Sequence, residues 1–163
     1  IPPGLSQCCA GAHCLPKMAV PADNHGMLAA CDNGAGLCVP DTMIHTGGLV
    51  PPAICTSVGG TEGRCLSTCI PDVAEKADNL PQDICAIDEK CTPCCDPFTG
   101  GPTGACDQKC DVGVAEGFCG DPIYPSCCSG TGHCASRWRL PAPPWAGARQ
   151  EHQHRAALPG ENR

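Results

Sequence analysis

Cysteine limits what this chain can fold into more than any other residue does. Eighteen of its 163 residues are cysteine, all of them before residue 135, a density that marks a disulfide scaffold. They are Cys8, Cys9, Cys14, Cys31, Cys38, Cys55, Cys65, Cys69, Cys85, Cys91, Cys94, Cys95, Cys106, Cys110, Cys119, Cys127, Cys128 and Cys134. Three doublets occur, at 8–9, 94–95 and 127–128. Neighbouring cysteines do not readily bond each other, because the ring is strained and the side chains diverge. A doublet is therefore read as a branch point. In "CCSGTGHC" (Cys127 to Cys134) Cys128 is expected to close a small loop onto Cys134 while Cys127 ties to another segment. "CCAGAHC" (Cys8 to Cys14) is read the same way.

The cross-links are needed. Leu, Ile, Val and Phe together number 25, and aromatics make up 3% of the chain, too little apolar mass to offset chain entropy by burial alone. At about 2–4 kcal/mol per native disulfide, a full set of nine bridges from the eighteen cysteines would make up the shortfall. Such a set forms in an oxidising compartment, so the location expected is secreted or cell envelope. The chain opens at Ile1 with neither a basic nor an apolar leader segment, and reads as a trimmed form of an exported protein. No apolar run approaches transmembrane length. "LSQC" (Leu5 to Cys8) carries Gln where a lipoprotein signal wants a small residue. The net charge of −7 disfavours nucleic acid and anionic membrane surfaces as partners, and no Asn-x-Ser/Thr sequon is present.

An internal repeat organises the body. "CTSVGGTEGRCLSTCIPDVAE" (Cys55 to Glu75) and "CDPFTGGPTGACDQKCDVGVAE" (Cys95 to Glu116) share G-G-x-x-G-x-C, then C-x3-C, then V-A-E. Gly60 and Gly101, Cys65 and Cys106, Cys69 and Cys110, and Glu75 and Glu116 each lie 41 residues apart. The chain divides accordingly into an N-terminal cysteine-rich segment (1–51), repeat unit 1 (52–91), repeat unit 2 (92–136) and a tail (137–163). A second recurring element is a small Gly-rich loop ending at a cysteine, at 9–14, 31–38, 55–65, 95–106 and 128–134. Two of these leave as "CLP" (Cys14 to Pro16) and "CVP" (Cys38 to Pro40). Gly supplies tight turns and Pro sets the exit without needing a hydrogen bond. The fold expected is small and disulfide-rich, mostly irregular, with short antiparallel β-pairs and one short helix near 72–80. For that helix, Asp72 is the expected cap, Glu75 completes a capping-box variant, Ala74, Ala77 and Leu80 form the apolar face, and Pro81 stops it. Its counterpart at Val112 to Phe118 carries two glycines and is expected to form a turn at most.

The tail differs in kind. Residues 1–136 carry 5 basic and 15 acidic groups, whereas 137–163 carry 5 arginines, 2 acidic groups and both tryptophans. The tail reads as disordered. Because "C-[LV]-P" is the exit elsewhere and "CASR" stands at Cys134, loss of the natural reading frame near Ala135 is a sharper reading. Removal of 138–163 is expected to leave folding of the body unaffected.

The stretch "CVPDTMI…PPAICTSVGGTEGRCLSTCIPDVAEKADNLPQDIC…EKCTPCCDPFTGGPTGAC" resembles a group of uncharacterised cysteine-rich exported bacterial proteins, many of them predicted lipoproteins. The resemblance covers about residues 8–134 and departs at the tail. It implies an envelope or secreted location, leaves room for a lipid anchor in a precursor, and carries no activity, cofactor or mechanism with it.

The remaining constellations favour scaffold over chemistry. Thiolate zinc sites pair close-spaced cysteine hooks from two segments, and here Cys91–Cys94 is a single C-x2-C that runs into Cys95. His13 and His133 precede Cys14 and Cys134 in matching loops, and are read as exposed polar filler rather than metal ligands. "CTPC" (Cys91 to Cys94) looks like a thioredoxin-type hook, but no hydrophobic strand leads into it, and Asp88 and Glu89 would raise a thiolate pKa. Inhibitor cystine knots would pair Cys85–Cys95, Cys91–Cys106 and Cys94–Cys110, whereas repeat unit 1 lacks counterparts of Cys91 and Cys94. EGF-like modules need a C-x-C step, which is absent. No G-x-S-x-G elbow or H-E-x-x-H occurs, so no catalytic residue, cofactor or metal ligand is assigned. The function expected is non-enzymatic: an exported structural or recognition module whose rigid loops meet a protein or a cell-surface polymer. A knottin-like inhibitor or toxin-like blocker of a protease or channel is the alternative, with Arg64, the only arginine in the body, as its candidate contact. Metal binding or thiol redox work comes third.

Overall fold

The structure, a computed structural model, describes residues 1–108, 110–111, 113 and 119–134. The expectations for the tail and for 112–118, Gly113 apart, lie outside the described residues. Short strands, turns and bridges make up the rest, as a chain poor in large apolar side chains requires. The first sheet holds β1 (Gln7–Cys9), β2 (Ala12–Pro16), β3 (Ala30–Cys31) and β4 (Gly36–Pro40), in the order β1-β2-β4-β3. Helix α1 (Asp41–Thr46) follows Pro40 directly and ends at Gly47 in the left-handed conformation, as helix C-termini commonly do. This second helical segment was not anticipated from sequence. The second sheet holds β5 (Ile54–Thr56), β6 (Glu62–Ser67) and β7 (Glu89–Pro93), in the order β5-β6-β7, and β8 (Ser126–Cys127) pairs with β9 (Gly132–His133). All pairings are antiparallel.

The expected helix forms as α2 (Pro71–Lys76), continued by a 3₁₀ turn over Ala77–Asn79. Its start differs from expectation. Ile70, not Asp72, holds the cap position, without a side-chain cap, and Pro71 takes the first turn, where a missing N–H costs nothing. Asp72 sits in that first turn, favourably placed at the positive end of the helix. Val73 and Leu80 are buried while Ala74 is exposed, so the apolar face is rotated from the one read in the sequence.

Each recurring "small loop ending at a cysteine" is a β-hairpin in four of the five cases. A cysteine faces the glycine two residues before the last: Cys31 pairs with Gly36, Cys55 with Gly63, and Cys127, one residue ahead of the loop read at 128–134, with Gly132. The backbone N–H of the last cysteine donates to the carbonyl two residues before that facing cysteine: Cys38 to Ala29 (2.8 Å), Cys65 to Ala53 (3.0 Å) and Cys134 to Pro125 (2.9 Å). The hairpin of Cys8 to Cys14 makes the same bond, Cys14 to Ser6 at 2.9 Å. The loop of Cys95 to Cys106 is the exception, with a single bridge between Cys95 and Pro102.

The first and second sheets also share a third strand, of the form Cys-x-Pro. In β2, Pro16 lies opposite Gly36, Leu15 opposite Leu37 and Cys14 opposite Cys38. In β7, Pro93 lies opposite Gly63, Thr92 opposite Arg64 and Cys91 opposite Cys65. Cys14–Cys31 joins β2 to β3 across the central strand, and Cys55–Cys91 joins β5 to β7 likewise, with Cα atoms 6.0 and 5.9 Å apart. Next-but-one strands of a flat sheet stand about 9.5 Å apart, so each sheet curls around its bridge. Glycine under the bridge is what permits this. A Cβ on Gly36 would meet the sulfurs of Cys14 and Cys31 at 2.6 and 3.0 Å, and one on Gly63 would meet the Thr92 carbonyl at 2.5 Å and the Cys91 sulfur at 3.0 Å.

One apolar core runs through the three cysteine-rich segments. It joins Val20, Leu28, Leu37 and Val39 to Leu66, Ile70, Val73 and Leu80, and those to Cys94, Cys95, Ala105 and Cys106. The Cys9–Cys69 bridge, 60 residues apart in sequence, staples the N-terminal sheet to unit 1. No helix among the described residues is long and apolar enough to cross a membrane.

Candidate recognition surface

Sixteen cysteines form eight disulfides: Cys8–Cys38, Cys9–Cys69, Cys14–Cys31, Cys55–Cys91, Cys65–Cys85, Cys94–Cys106, Cys95–Cys119 and Cys127–Cys134. Cys110 and Cys128 carry no bridge in the structure. The many bridges point to an oxidising compartment. Two of the three doublets branch as expected, Cys8 to strand β4 and Cys9 to the turn after β6, Cys94 and Cys95 to different loops.

The third corrects the reading of "CCSGTGHC". Cys127, not Cys128, bonds Cys134. The pairing of β8 with β9 sets Cys127 opposite Gly132, beside Cys134, whereas Cys128 occupies the turn at φ +54° and is exposed. Nor does Cys8 or Cys9 close onto Cys14: Cys8 bonds Cys38 in β4, Cys9 bonds Cys69, and Cys14 bonds Cys31 in β3. Repeat units 1 and 2 do not share a bridge pattern either: Cys65 bonds forward to Cys85, while its counterpart Cys106 bonds back to Cys94.

None of the three cystine-knot pairings occurs. Cys91 and Cys94 of "CTPC" belong to different bridges and are almost completely buried, with Cys91 0% exposed, so the segment is a strand of the scaffold and not a dithiol hook. The sulfurs of Cys55, Cys85 and Cys91 cluster within 4.8 Å of one another. Each belongs to a disulfide, and a disulfide sulfur is not the thiolate that binds zinc, so the cluster is two packed bridges.

Arg64 is the largest departure from expectation at a named residue. It was expected to protrude as a contact, and its side chain is instead 0% exposed. Strand alternation turns it away from the bridge over Gly63 and into the body. There Asp111 of unit 2 takes its Nε and Nη2 protons at 2.6 and 3.0 Å, and Glu62 and the Gly63 carbonyl take those of Nη1 at 2.7 and 3.0 Å. The hydrogen bond to Asp111 outweighs the burial that opposes charge, and with Glu62 it pushes the guanidinium further up from its ordinary value. A bidentate Arg–carboxylate pair is the arrangement that tolerates burial. Arg64 is an internal clamp between the repeat units.

The histidines are held as well. His13 is partly buried and its Nδ1 hydrogen-bonds Asp41 Oδ1 at 2.7 Å, so it is not loop filler: it ties β2 to the start of α1. His133 is exposed, donates from Nδ1 to the Tyr124 carbonyl at 2.8 Å, and lies 4.8 Å from the Phe98 ring.

The Gly-rich turn at 57–61 exposes its tip at Gly60, while Ser57 is buried and Val58, Gly59 and Thr61 are half-buried. Its base is fixed by Cys55–Cys91, by Ser57 Oγ donating to the Cys91 carbonyl (2.7 Å), and by the Ser57 N–H donating to the Thr61 carbonyl (2.7 Å). Gly59 and Gly60 adopt φ of +70° and +76°, which no β-branched residue would tolerate. Open grooves flank the turn. One, of about 500 Å³, runs between it, the end of α2 and Tyr124; the other, of about 390 Å³, lies along the free edge of β5 between Ile54, Asp83 and Ile84. Asp83 Oδ2 accepts the Thr56 N–H at 2.7 Å, which satisfies one donor of that edge. Ile54 and Ile84 are 59% and 69% exposed, an apolar pair beside carboxylates. Sequence reasoning missed both, although Ile54 in "AICTS" beside a cysteine that must point inward could have been placed outward by strand alternation. No histidine or unbridged cysteine lines either groove among the described residues.

No protein-family model, curated protein or solved structure matches this chain.

Proposed function

We propose that this chain is a non-enzymatic, exported, disulfide-stabilised structural or recognition module that meets a protein or a cell-surface polymer through the 57–61 turn and its flanking grooves. The observation that carries this reading is the outward pair Ile54 and Ile84 beside a turn already locked by a bridge and by internal hydrogen bonds. A preorganised loop loses little ordering entropy on contact, and an exposed apolar pair rimmed by polar groups is the usual mark of an interface. The disulfide density and the resemblance to exported cysteine-rich bacterial proteins support the location.

Photo-crosslinking tests the reading. A photoreactive residue at Ile84 should yield discrete adducts with cell-surface material or secreted protein, whereas the same residue at Met18, also exposed, should not. No adduct from position 84, or equal labelling from both positions, overturns it.

A further inference from the structure

Cys110 and Cys128 are the two cysteines without a bridge, and each has a counterpart elsewhere in the chain. By the 41-residue repeat, Cys110 corresponds to Cys69. By the hairpins, Cys128 corresponds to Cys9. The register shows the second correspondence: Gln7 pairs with His13 as Ser126 pairs with His133, and Cys14 donates to Ser6 as Cys134 donates to Pro125, both at 2.9 Å. Counted from those pairs, Cys127 and Cys128 follow Ser126 as Cys8 and Cys9 follow Gln7, with a bulge after Gln7 that brings Cys9 opposite Ala12. The counterparts Cys9 and Cys69 are bonded to each other.

We infer that Cys110 and Cys128 form a ninth disulfide in the mature protein, stapling the C-terminal hairpin to repeat unit 2 as Cys9–Cys69 staples the N-terminal hairpin to unit 1. The hairpin is already held against unit 2 by the Tyr124 N–H on the Pro97 carbonyl (2.8 Å) and by Phe98 against Tyr124 and His133. Cys128 projects from an exposed turn, where an incoming disulfide can reach it. Bond formation is a thiol–disulfide exchange with a small-molecule or protein disulfide of the oxidising compartment. One thiolate attacks the exchange partner's disulfide, and the second thiolate displaces the mixed disulfide. Two protons and two electrons leave the cysteines and the partner departs as two thiols.

The test uses the full chain from an oxidising compartment, denatured without reductant and treated with iodoacetamide. Trypsin has no site between Lys109 and Arg137, so digestion is at acidic residues and at Phe118, the Asp121–Pro122 bond is opened with dilute acid, and fragmentation assigns Cys127 against Cys128. The expected result is no alkylated cysteine and a peptide joining Cys110 to Cys128. Alkylation of either residue, a bond from Cys128 to a second copy of the chain, or Cys110 joined to Cys127 with Cys128 on Cys134 overturns the inference. In Cys128→Ser, one alkylated thiol should appear, on Cys110; a thiol elsewhere overturns it equally.

Discussion

The first and second sheets use four corresponding cysteines each, but the chain visits them in a different order. Cys8, Cys14, Cys31 and Cys38 of the first match Cys85, Cys91, Cys55 and Cys65 of the second, with the same bridges between them. In the first sheet the Cys-x-Pro strand precedes the hairpin; in the second it follows. The unit is thus specified by strand register and by a bridge lying over a glycine, not by how the strands are connected. One position separates them chemically. Between the glycine and the last cysteine stands Leu37 in the first sheet and Arg64 in the second, both buried. The first closes with apolar contact and the second with an ion pair.

Breaking that difference should have the largest effect. Arg64→Leu copies the first sheet into the second, but takes the guanidinium away from the Asp111 carboxylate, whose side chain is 2% exposed and which keeps the Gly113 N–H among its donors. A loss of about 3–5 kcal/mol is expected, read as a lowered midpoint in urea. Arg64→Leu with Asp111→Leu should recover most of it, because an apolar pair replaces a buried charge pair at little net cost. Failure of the double variant to recover would mean that Arg64 is not acting as a clamp to Asp111.

Next come the bridges over the central strands. Replacing both cysteines by serine in Cys14–Cys31 or in Cys55–Cys91 should cost about 2–5 kcal/mol in each case, measured by unfolding of the two variants side by side. A negligible cost in one sheet alone would end the equivalence.

The glycines offer a finer comparison. Gly36→Ala and Gly63→Ala each force a Cβ into backbone oxygen and sulfur and should lose about 1–3 kcal/mol. Gly132→Ala occupies the same hairpin position with nothing within 4 Å, and should change stability by no more than about 0.5 kcal/mol. Thermal melts of the three variants separate these outcomes.

The smallest effect concerns the loop that breaks the hairpin pattern. Burial works against the charge of Asp96, but backbone N–H groups of Thr99 and Phe98, with Lys76 nearby, outweigh it and hold the carboxyl below its ordinary value. A lowered folded value means that the contribution is present above the unfolded Asp pKa and fades as pH falls through the folded one. Discounted for solvent screening, it amounts to about 0.5 kcal/mol or less. Asp96→Asn should therefore be slightly less stable than the parent at neutral pH, with the difference shrinking as pH falls below the ordinary Asp value.

Much of this architecture is legible in the residues once the physics is applied to them. The doublets at 8–9 and 94–95 branch because adjacent side chains diverge, and α2 forms where Pro71 permits a helix to start. The pairing of partners was not legible, because a cysteine bonds whichever strand the register brings beside it, and register depends on contacts far apart in sequence. Cys9 finds Cys69 for that reason. A usable signal did exist in Gly-x-Cys at 36–38, 63–65 and 132–134 and in Cys-x-Pro at 14–16 and 91–93. In both sheets the glycine lies on the middle strand of the trio, and the Cys-x-Pro strand beside it ends with its proline opposite that glycine. Arg64 could have been turned inward by the same alternation, since Gly63 and Cys65 face the bridge. Its partner Asp111 lies 47 residues on and leaves no local trace.

The long Cys9–Cys69 span has a mechanical consequence. When the chain is pulled from its ends, force entering at the N-terminus passes at Cys9 straight to Cys69 through a covalent bond, and the chain between them, a sequence separation of 60, bears no load. At about 3.4 Å per extended residue, on the order of 200 Å of chain stays hidden from the pull for as long as the bond is intact. Both curled sheets lie wholly or partly inside that shielded length. Reducing Cys9–Cys69 alone would load only the stretch from Cys38 to Cys55, because Cys8–Cys38 and Cys55–Cys91 still bypass the rest, so the full length appears in steps, one bridge at a time.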